Sequence, residues 1–181
     1  PNLKKTTIES LVETLRKYQG FERVAVQLTK YGISLKMAQT IYSKYRDETL
    51  TFLQQNPYQF VFDIEGFGFL TADKIGELNG IKKTDKNRIR ASCIHALQLS
   101  VLEGHVYLPL EECALNMKNV LRTEEITEET ILEQIEQLSN EKIIILKDGK
   151  VYLRSLYYAE DHFSSHIKRI LNKKLDTEVT D

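Results

Sequence analysis

Hydrophobic residues recur at helical spacing throughout the first half of the chain. Residues 6–17 and 21–30 carry apolar side chains three and four positions apart, which predicts two helices, with Thr7 as the cap of the first. The same spacing and the Asn-Pro and Asn-Gly breaks predict further short helices through Met37–Tyr45, from about Asp47 to Asn56, over Tyr58–Phe62 and over Thr71–Leu78. Five or six short helices therefore account for residues 1–82.

The second half combines helices with short strands. An amphipathic helix is expected over Asp85–Glu103, closed by Gly104. After it the pattern predicts a strand at His105–Pro109, helices at Leu110–Leu121 and Thr127–Asn140, strands at Lys142–Lys147 and Lys150–Arg154, and a last helix over about 157–172. Helix, strand, helix, helix and hairpin is the element order of a winged helix.

Two glycines one residue apart, Gly66 and Gly68, form the most informative motif. A glycine-rich turn that opens a helix directs backbone N–H groups outward, and such groups at a helix N-terminus bind anions. We expect both glycines to be able to take positive φ and to admit a phosphate oxygen close to the backbone. Ala72, four positions later, suits close helix packing. The motif predicts a helix–hairpin–helix; the alternatives are a dinucleotide turn, which no clear strand precedes, and a plain helix C-cap between two packed helices.

A second copy of this motif lies 34 residues earlier in the chain. There Gly32, Ser34, Ala38 and Ile41 occupy the places of Gly66, Gly68, Ala72 and Ile75. Ser34 replaces the second glycine and restricts the approach of a phosphate, so the later copy is the stronger candidate. Two hairpins in tandem are expected to pack as one pseudo-symmetric unit, because one pair of short helices buries too little apolar surface alone.

The expected fold class is therefore mainly α, a tandem helix–hairpin–helix bundle followed by a winged-helix-like α+β domain. We assign 1–30 to N-terminal helices that pack on the hairpin pair, 31–84 to the hairpins, 85–156 to the winged-helix-like domain and 157–181 to a C-terminal helix and linker. The absence of an initiator Met before Pro1 indicates a piece of a longer protein.

Charge is distributed unevenly, although the net charge is only −1. Residues 30–90 carry ten basic and seven acidic groups, whereas residues 103–141 carry two basic and ten acidic groups. The hairpin region tolerates an anionic partner and the acidic segment repels one.

The helix that precedes the wing is poorly suited to reading DNA. Thr127–Asn140 contains no Lys or Arg and four carboxylates, those of Glu128, Glu129, Glu133 and Glu136. Groove insertion would place these among phosphates, so a structural or protein-docking role is preferred. The wing carries Lys142, Lys147, Lys150 and Arg154, which either contact a DNA backbone or form a solvated, protected strand edge.

Other chemistry is weakly indicated. Cys93 and Cys113 lack metal-site or disulfide-framework spacing and are expected to be reduced, partly buried thiols. His162 and His166 stand four apart on a helix without the Glu of a zincin motif, so surface histidines are preferred to a metal site. No Gly-x-x-x-x-Gly-Lys-Ser/Thr motif occurs, so no catalytic residue, metal or cofactor is assigned. With no membrane-length apolar run and no signal sequence, a cytoplasmic protein is expected.

Four segments in order carry a family resemblance: 56–60, 63–75, 87–90 and 103–109. Together they resemble the N-terminal region of bacterial RecD-like ATP-dependent DNA helicases over nearly the whole chain. The resemblance implies a superfamily 1 motor that moves 5′ to 3′ on single-stranded DNA and uses ATP and Mg²⁺, none of it within these residues. It also implies a further hairpin pair upstream and a role in DNA repair or recombination.

Helix–hairpin–helix DNA glycosylases provide a competing enzymatic reading. They share the Gly-x-Gly-x-x-Thr-Ala pattern, and the bifunctional ones place a nucleophilic Lys directly before the Thr. Here Leu70 occupies that place, before Thr71, and cluster cysteines are absent. Glycosylase chemistry is therefore disfavoured.

The leading hypothesis is a non-catalytic accessory region that holds the DNA backbone without reading sequence, beside a helicase motor of the same chain. The alternative is a protein-interaction module in which both hairpins are packing turns only. The residues expected to contact phosphate are Gly66, Phe67, Gly68, Phe69, Thr71 and Lys74, with Gly32, Ser34 and Lys36 in the first copy.

Overall fold

A computed structural model describes residues 19–177, with side chains described to residue 170. The chain divides into two compact units, Pro1–Ala91 and Ser92–Asp181. The predicted helix over 6–17 and its Thr7 cap lie outside the described residues. The finer four-part division made from the sequence stays a prediction.

The first unit consists of short helices joined by tight turns. The helices are α1 (residues 19–30), α2 (Leu35–Tyr45), α3 (Thr49–Gln55), α4 (Gln59–Asp63), α5 (Phe69–Leu78) and the start of α6 (Lys86–Leu102), with a 3₁₀ turn at Arg46–Glu48 between α2 and α3. All of these bounds agree with those predicted from the sequence to within about two residues.

The core of the first unit is filled from every one of its helices. Leu28, Ile41, Phe60 and Ile75 have no exposed surface. Ala38 and Ala72, at matching places of the two copies, are also fully buried. The small side chains of these alanines let neighbouring helices pack closely, as the sequence indicated.

The second unit adds three strands to its helices. After α6 the elements are, in chain order, β1 (Tyr107–Pro109), α7 (Leu110–Leu121), α8 (Glu128–Asn140), β2 (Ile144–Lys147), β3 (Lys150–Leu153) and α9 (Arg154–Thr177). The sheet is antiparallel with the order β1-β3-β2. Asp148 and Gly149 form the turn between β2 and β3, with φ of 51° and 70°. A two-residue hairpin turn of type I′ requires positive φ at both of its central residues.

The core of the second unit lies between one face of this sheet and its helices. Leu108 and Val151 are paired across β1 and β3 and are almost completely buried, as are Ile131 and Ile135 of α8. Cys93 and Cys113 are both free and completely buried, so the expectation of partial burial was wrong in degree. A hydrogen bond with Cys113 and then burial raise the pKa of the Cys93 thiol well above its ordinary value.

The mainly α fold with a small α+β region is thus confirmed. The order of elements in the second unit is the one expected for a winged helix, and assignment to that class stays an interpretation. Among the described residues, no helix combines the length and the apolar content needed to cross a membrane.

Candidate nucleic-acid interface

The two hairpins share one backbone geometry. Gly32 and Gly66, 34 positions apart, both have φ of +80°. Two residues later, Ser34 has φ and ψ of −65° and 153°, and Gly68 has −82° and 152°. The repeat seen in the sequence is therefore also a repeat of conformation.

The second hairpin joins α4 to α5 through a four-residue turn. The Phe67 amide donates to the Ile64 carbonyl at 3.1 Å, and Gly66 stands at the third position, where positive φ favours glycine. Phe67 is 3% exposed, and its ring meets Phe60 edge-on at 5.3 Å between centroids. This buried ring anchors the turn, so Phe67 offers a backbone contact and no exposed side chain.

The first hairpin ends its helix in a different way. The Gly32 amide donates to Thr29 at 2.9 Å, and the Ile33 amide reaches back five residues to Leu28 at 3.2 Å. These two bonds form the Schellman cap of α1. For Gly32 the plain C-cap interpretation therefore describes the geometry well.

The two copies differ most where the second helix begins. The Ser34 hydroxyl accepts the Met37 amide at 3.3 Å and caps α2. Gly68 holds the same N-cap position of α5 without a side chain that could do so. In the described part of the chain, the amides of Gly66, Gly68 and Leu70 donate no intramolecular hydrogen bond. These donors make the second hairpin the better candidate for an anion site.

Gly66 takes the positive φ that both glycines allow, whereas Gly68 does not. Its φ of −82° suits any residue, and a Cβ built there would meet no atom within 4 Å. The fold therefore does not require glycine at this position. An added side chain would instead occupy the open space through which a ligand reaches the amides.

The remaining predicted site residues lie along α5 and α2. Phe69 is buried and fixes the first turn of α5, whereas Thr71 is half-buried. Lys74 lies on the exposed face of α5, more than one turn from its N-terminus, so its reach to an anion there depends on its long side chain. Lys36 is exposed in the first turn of α2. Neither lysine forms an ion pair within the described residues.

Another cation of this unit serves the fold. Lys44 pairs with Asp63 at 3.0 Å and also donates to its carbonyl oxygen, which ties α2 to α4. Asp63 also accepts hydrogen bonds from Tyr45 and Gln59. Burial raises the pKa of Asp63, but these hydrogen bonds outweigh it and hold the pKa below its ordinary value.

An ion pair between a buried arginine and a half-buried aspartate was missed by sequence reasoning. Arg88 of α6 donates from Nε and Nη2 to the two oxygens of Asp73 on α5, at 2.7 and 3.0 Å. The Tyr58 hydroxyl donates to the same carboxylate at 2.9 Å. Arg88 is only 7% exposed, so it cannot serve DNA. The available signal was that both residues lie inside the segments that carry the family resemblance.

The predicted contacts of the second unit lie on exposed surface. The carboxylates of α8 point to solvent, as do Lys142, Lys147 and Arg154 of the wing, while Lys150 is half-buried. His162 and His166 are exposed on α9. That α8 does not enter a DNA groove stays a prediction.

Replacement of Gly66 by Ala should lower the free energy of unfolding by about 1–2 kcal/mol, because φ of +80° strains any residue with a Cβ. The added Cβ would make only an ordinary contact with Met37 at 3.6 Å, so the loss is a backbone effect. The matched control is Gly68→Ser, which copies Ser34 and should leave stability unchanged or slightly higher. Urea unfolding of both variants checks this difference; equal losses would contradict the assigned turn.

Comparison with known proteins places these features in a family. Residues 17–107 match the family model described as the ATP-dependent RecD2 DNA helicase HHH domain. The chain is also similar to the ATP-dependent RecD2 DNA helicase of Deinococcus radiodurans, with 26% identity over 184 aligned positions that cover 94% of this chain. That alignment covers 25% of the relative, so the chain spans about a quarter of its length.

Proposed function

Since the chain belongs to the family of the helix–hairpin–helix domain of ATP-dependent RecD2 DNA helicases, we propose that it is a DNA-binding accessory region of such a helicase. In this role it holds the DNA backbone at the Gly66–Gly68 hairpin and performs no chemistry of its own. The observation that carries the proposal is the start of α5, where Gly68 provides no side-chain cap and backbone amides have no acceptor among residues 19–177.

Backbone amides favour phosphate over bases. They present a fixed concave set of donors, and the N-terminus of α5 adds the positive end of the helix dipole. Such contacts position DNA but carry no sequence information. The proposed binding is therefore independent of sequence.

Affinity should be weak, and its dependence on salt concentration should be shallow because few cations are available at the hairpins. In the hairpin region the cations not engaged in the fold include Lys36 and Lys74, whereas Lys44 and Arg88 are paired with carboxylates. Each phosphate contact contributes about 0.7–0.9 to the slope of log affinity against log salt concentration. A region that makes few contacts thus has a shallow slope, and loss of one contact is measurable.

Two variants of equal size at Gly68 test the proposal. Asn and Asp both fit φ of −82° and both cap a helix well, so the fold should be kept or stabilised in each. Gly68→Asp should weaken binding of a labelled oligonucleotide at least tenfold at low salt, because its carboxylate repels phosphate. Gly68→Asn should weaken it less, since it blocks the amides without adding charge. A Lys74→Glu variant measures the contribution of the lysine separately.

If Gly68→Asp binds as tightly as the unmodified chain, the hairpin does not hold phosphate. The same holds if no binding is seen at low salt. Either result favours the alternative function, a protein-interaction module whose hairpins are packing turns. The Schellman cap at Gly32 is the observation that supports this alternative, because its amides are used within the fold.

Removal of the carboxylate nearest the hairpin should increase affinity. Glu65 is exposed directly before Gly66 and repels a phosphate bound there. At surface dielectric and a separation of a few ångströms, Glu65→Gln should tighten binding about threefold at low salt, with little effect at high salt. Glu77→Gln, at an exposed position near the far end of α5, is the control. An equal gain in both variants would indicate a general charge effect and would contradict a local site.

The parent activity belongs to the same proposal. A motor outside these residues would bind ATP and Mg²⁺, since the chain has no P-loop motif. We propose DNA as the partner, single-stranded or at a junction, together with that motor, and a role in repair or recombination in the cytoplasm.

A further inference from the structure

Four tyrosines of the second unit form a continuous row. The ring centroids of Tyr107 and Tyr152 are 5.4 Å apart, those of Tyr152 and Tyr157 5.2 Å, and those of Tyr157 and Tyr158 5.6 Å. Successive rings are tilted or edge-on to each other. We call Tyr107, Tyr152, Tyr157 and Tyr158 the tyrosine row.

Two members of the row, Tyr107 and Tyr152, lie on the sheet face that is turned away from the core, and the other two belong to the start of α9. Tyr107 pairs with Tyr152 across β1 and β3, one residue out of phase with the buried pair Leu108 and Val151. Because side chains alternate between the faces of a sheet, these two tyrosines stand on the opposite face. Tyr107 is 37% exposed and Tyr158 is 48% exposed, which leaves both ends of the row open to solvent.

Three cations are set among these rings. The ammonium of Lys150 lies 4.3 Å from the Tyr107 centroid, and that of Lys147 lies 5.7 Å from the Tyr157 centroid and donates to its hydroxyl at 3.1 Å. The guanidinium of Arg154 lies 5.9 Å from the centroid of Tyr158.

These cations are held by rings and not by carboxylates. Within the described residues, Lys147, Lys150 and Arg154 form no ion pair, although Asp148 and Asp161 lie close enough to favour the charged form of Lys147. Positive charge on this face is therefore available to an anionic ligand.

We propose that the tyrosine row binds single-stranded DNA, with unpaired bases against the tyrosine rings and phosphates against Lys147, Lys150 and Arg154. Aromatic side chains interleaved with cations supply the two things that an unpaired strand presents, a π face on every base and a regular series of negative charges. A duplex hides its base faces and would use only the cations. The proposal stands on the second unit alone and does not depend on the Gly66–Gly68 hairpin.

An abasic strand separates stacking from phosphate contacts. The whole chain would be titrated with labelled oligothymidine and with an abasic oligonucleotide of equal length, and anisotropy recorded. We expect oligothymidine to bind at least about fivefold more tightly, because each stacked base adds affinity. The chain has nine tyrosines and no tryptophan, so quenching of its intrinsic fluorescence by oligothymidine reports the same contact.

Ring variants locate the site. The double variant Tyr107→Leu with Tyr152→Leu should weaken oligothymidine binding about tenfold and leave the abasic strand unaffected, whereas the corresponding Phe variants should retain binding. Phe163→Leu, at a 68% exposed aromatic outside the row, is the matched control. Equal urea midpoints for the Leu and Phe variants show that the fold is kept. Gly68→Asp should reduce binding of both strands, which distinguishes the hairpin from the row.

Three results would overturn the proposal. They are equal affinity for the two strands, unchanged oligothymidine binding in the Leu double variant, and tighter binding of a duplex of the same length. Any of them would assign the tyrosine row to a protein contact or to duplex phosphates.

Discussion

Asp73→Ala should lower the free energy of unfolding by about 2–4 kcal/mol, one of the two largest effects expected for this fold. The Arg88 guanidinium, only 7% exposed, would lose both of its hydrogen bonds to the carboxylate and keep a charge that water cannot reach well. The buried Tyr58 hydroxyl would lose its acceptor as well. Removal of one partner lowers stability by more than the intact pair contributes, because the remaining charge stays desolvated.

Neighbouring variants make this result specific. Lys74→Ala changes the next residue of the same helix, is exposed and should change stability by no more than about 0.5 kcal/mol. Asp73→Asn keeps an acceptor without the charge and should give an intermediate loss. Urea unfolding followed by circular dichroism measures all three. If Asp73→Ala behaves like Lys74→Ala, the ion pair does not hold α5 against α6.

Ile75→Ala should cost about 2–4 kcal/mol, because the side chain has no exposed surface and its removal leaves a cavity between the hairpin helices. Ile41→Ala, at the equivalent place of the first copy and equally buried, should cost a similar amount. Similar losses in Ile41→Ala and Ile75→Ala would show that the two copies of the repeat contribute equally to stability.

An exposed residue of the same helix is the control. Leu78→Ala removes a side chain that is 66% exposed, so it should cost less than about 1 kcal/mol. The three variants are compared by their midpoints of urea unfolding, provided that the dependence of the unfolding free energy on urea concentration is the same in each. If Ile41→Ala were nearly neutral while Ile75→Ala were not, the two hairpins would not share one core.

Local signals in the sequence were sufficient for most element boundaries. The bounds Leu110–Leu121 were predicted to the residue, and Thr127 caps α8 by accepting the Thr130 amide at 3.2 Å. The Asp148–Gly149 turn also followed from residue type alone. Each of these depends on residues only a few positions apart, which is why a single sequence determines them.

Contacts between distant residues could not be obtained in this way. The pairing of Asp73 with Arg88 depends on the turn between α5 and α6, and that of Tyr107 with Tyr152 on strand register. Helical spacing assigns a residue to a face but not to a partner. The tyrosine row therefore could not be predicted before the strand register of the sheet was known.

The conformation of Gly68 was already indicated by its counterpart in the first copy. Glycine admits either sign of φ, so its own identity does not decide the conformation. Ser34, its counterpart in the first copy, strongly favours negative φ and is a good N-cap residue. The alignment of the two copies thus already indicated an N-cap at position 68, and only the reach of Lys74 to the hairpin needed coordinates.

Backbone amide shifts of the isotope-labelled chain, recorded by NMR during titration with an oligonucleotide, test the central claim most directly. A phosphate held by the second hairpin should move the amide resonances of Gly66, Gly68 and Leu70 most within the first unit. These shifts should disappear in Gly68→Asp and persist, weakened, in Gly68→Asn. Amides of the first unit that stay unmoved at saturating oligonucleotide, or that move equally in Gly68→Asp, would contradict the proposed grip on the DNA backbone.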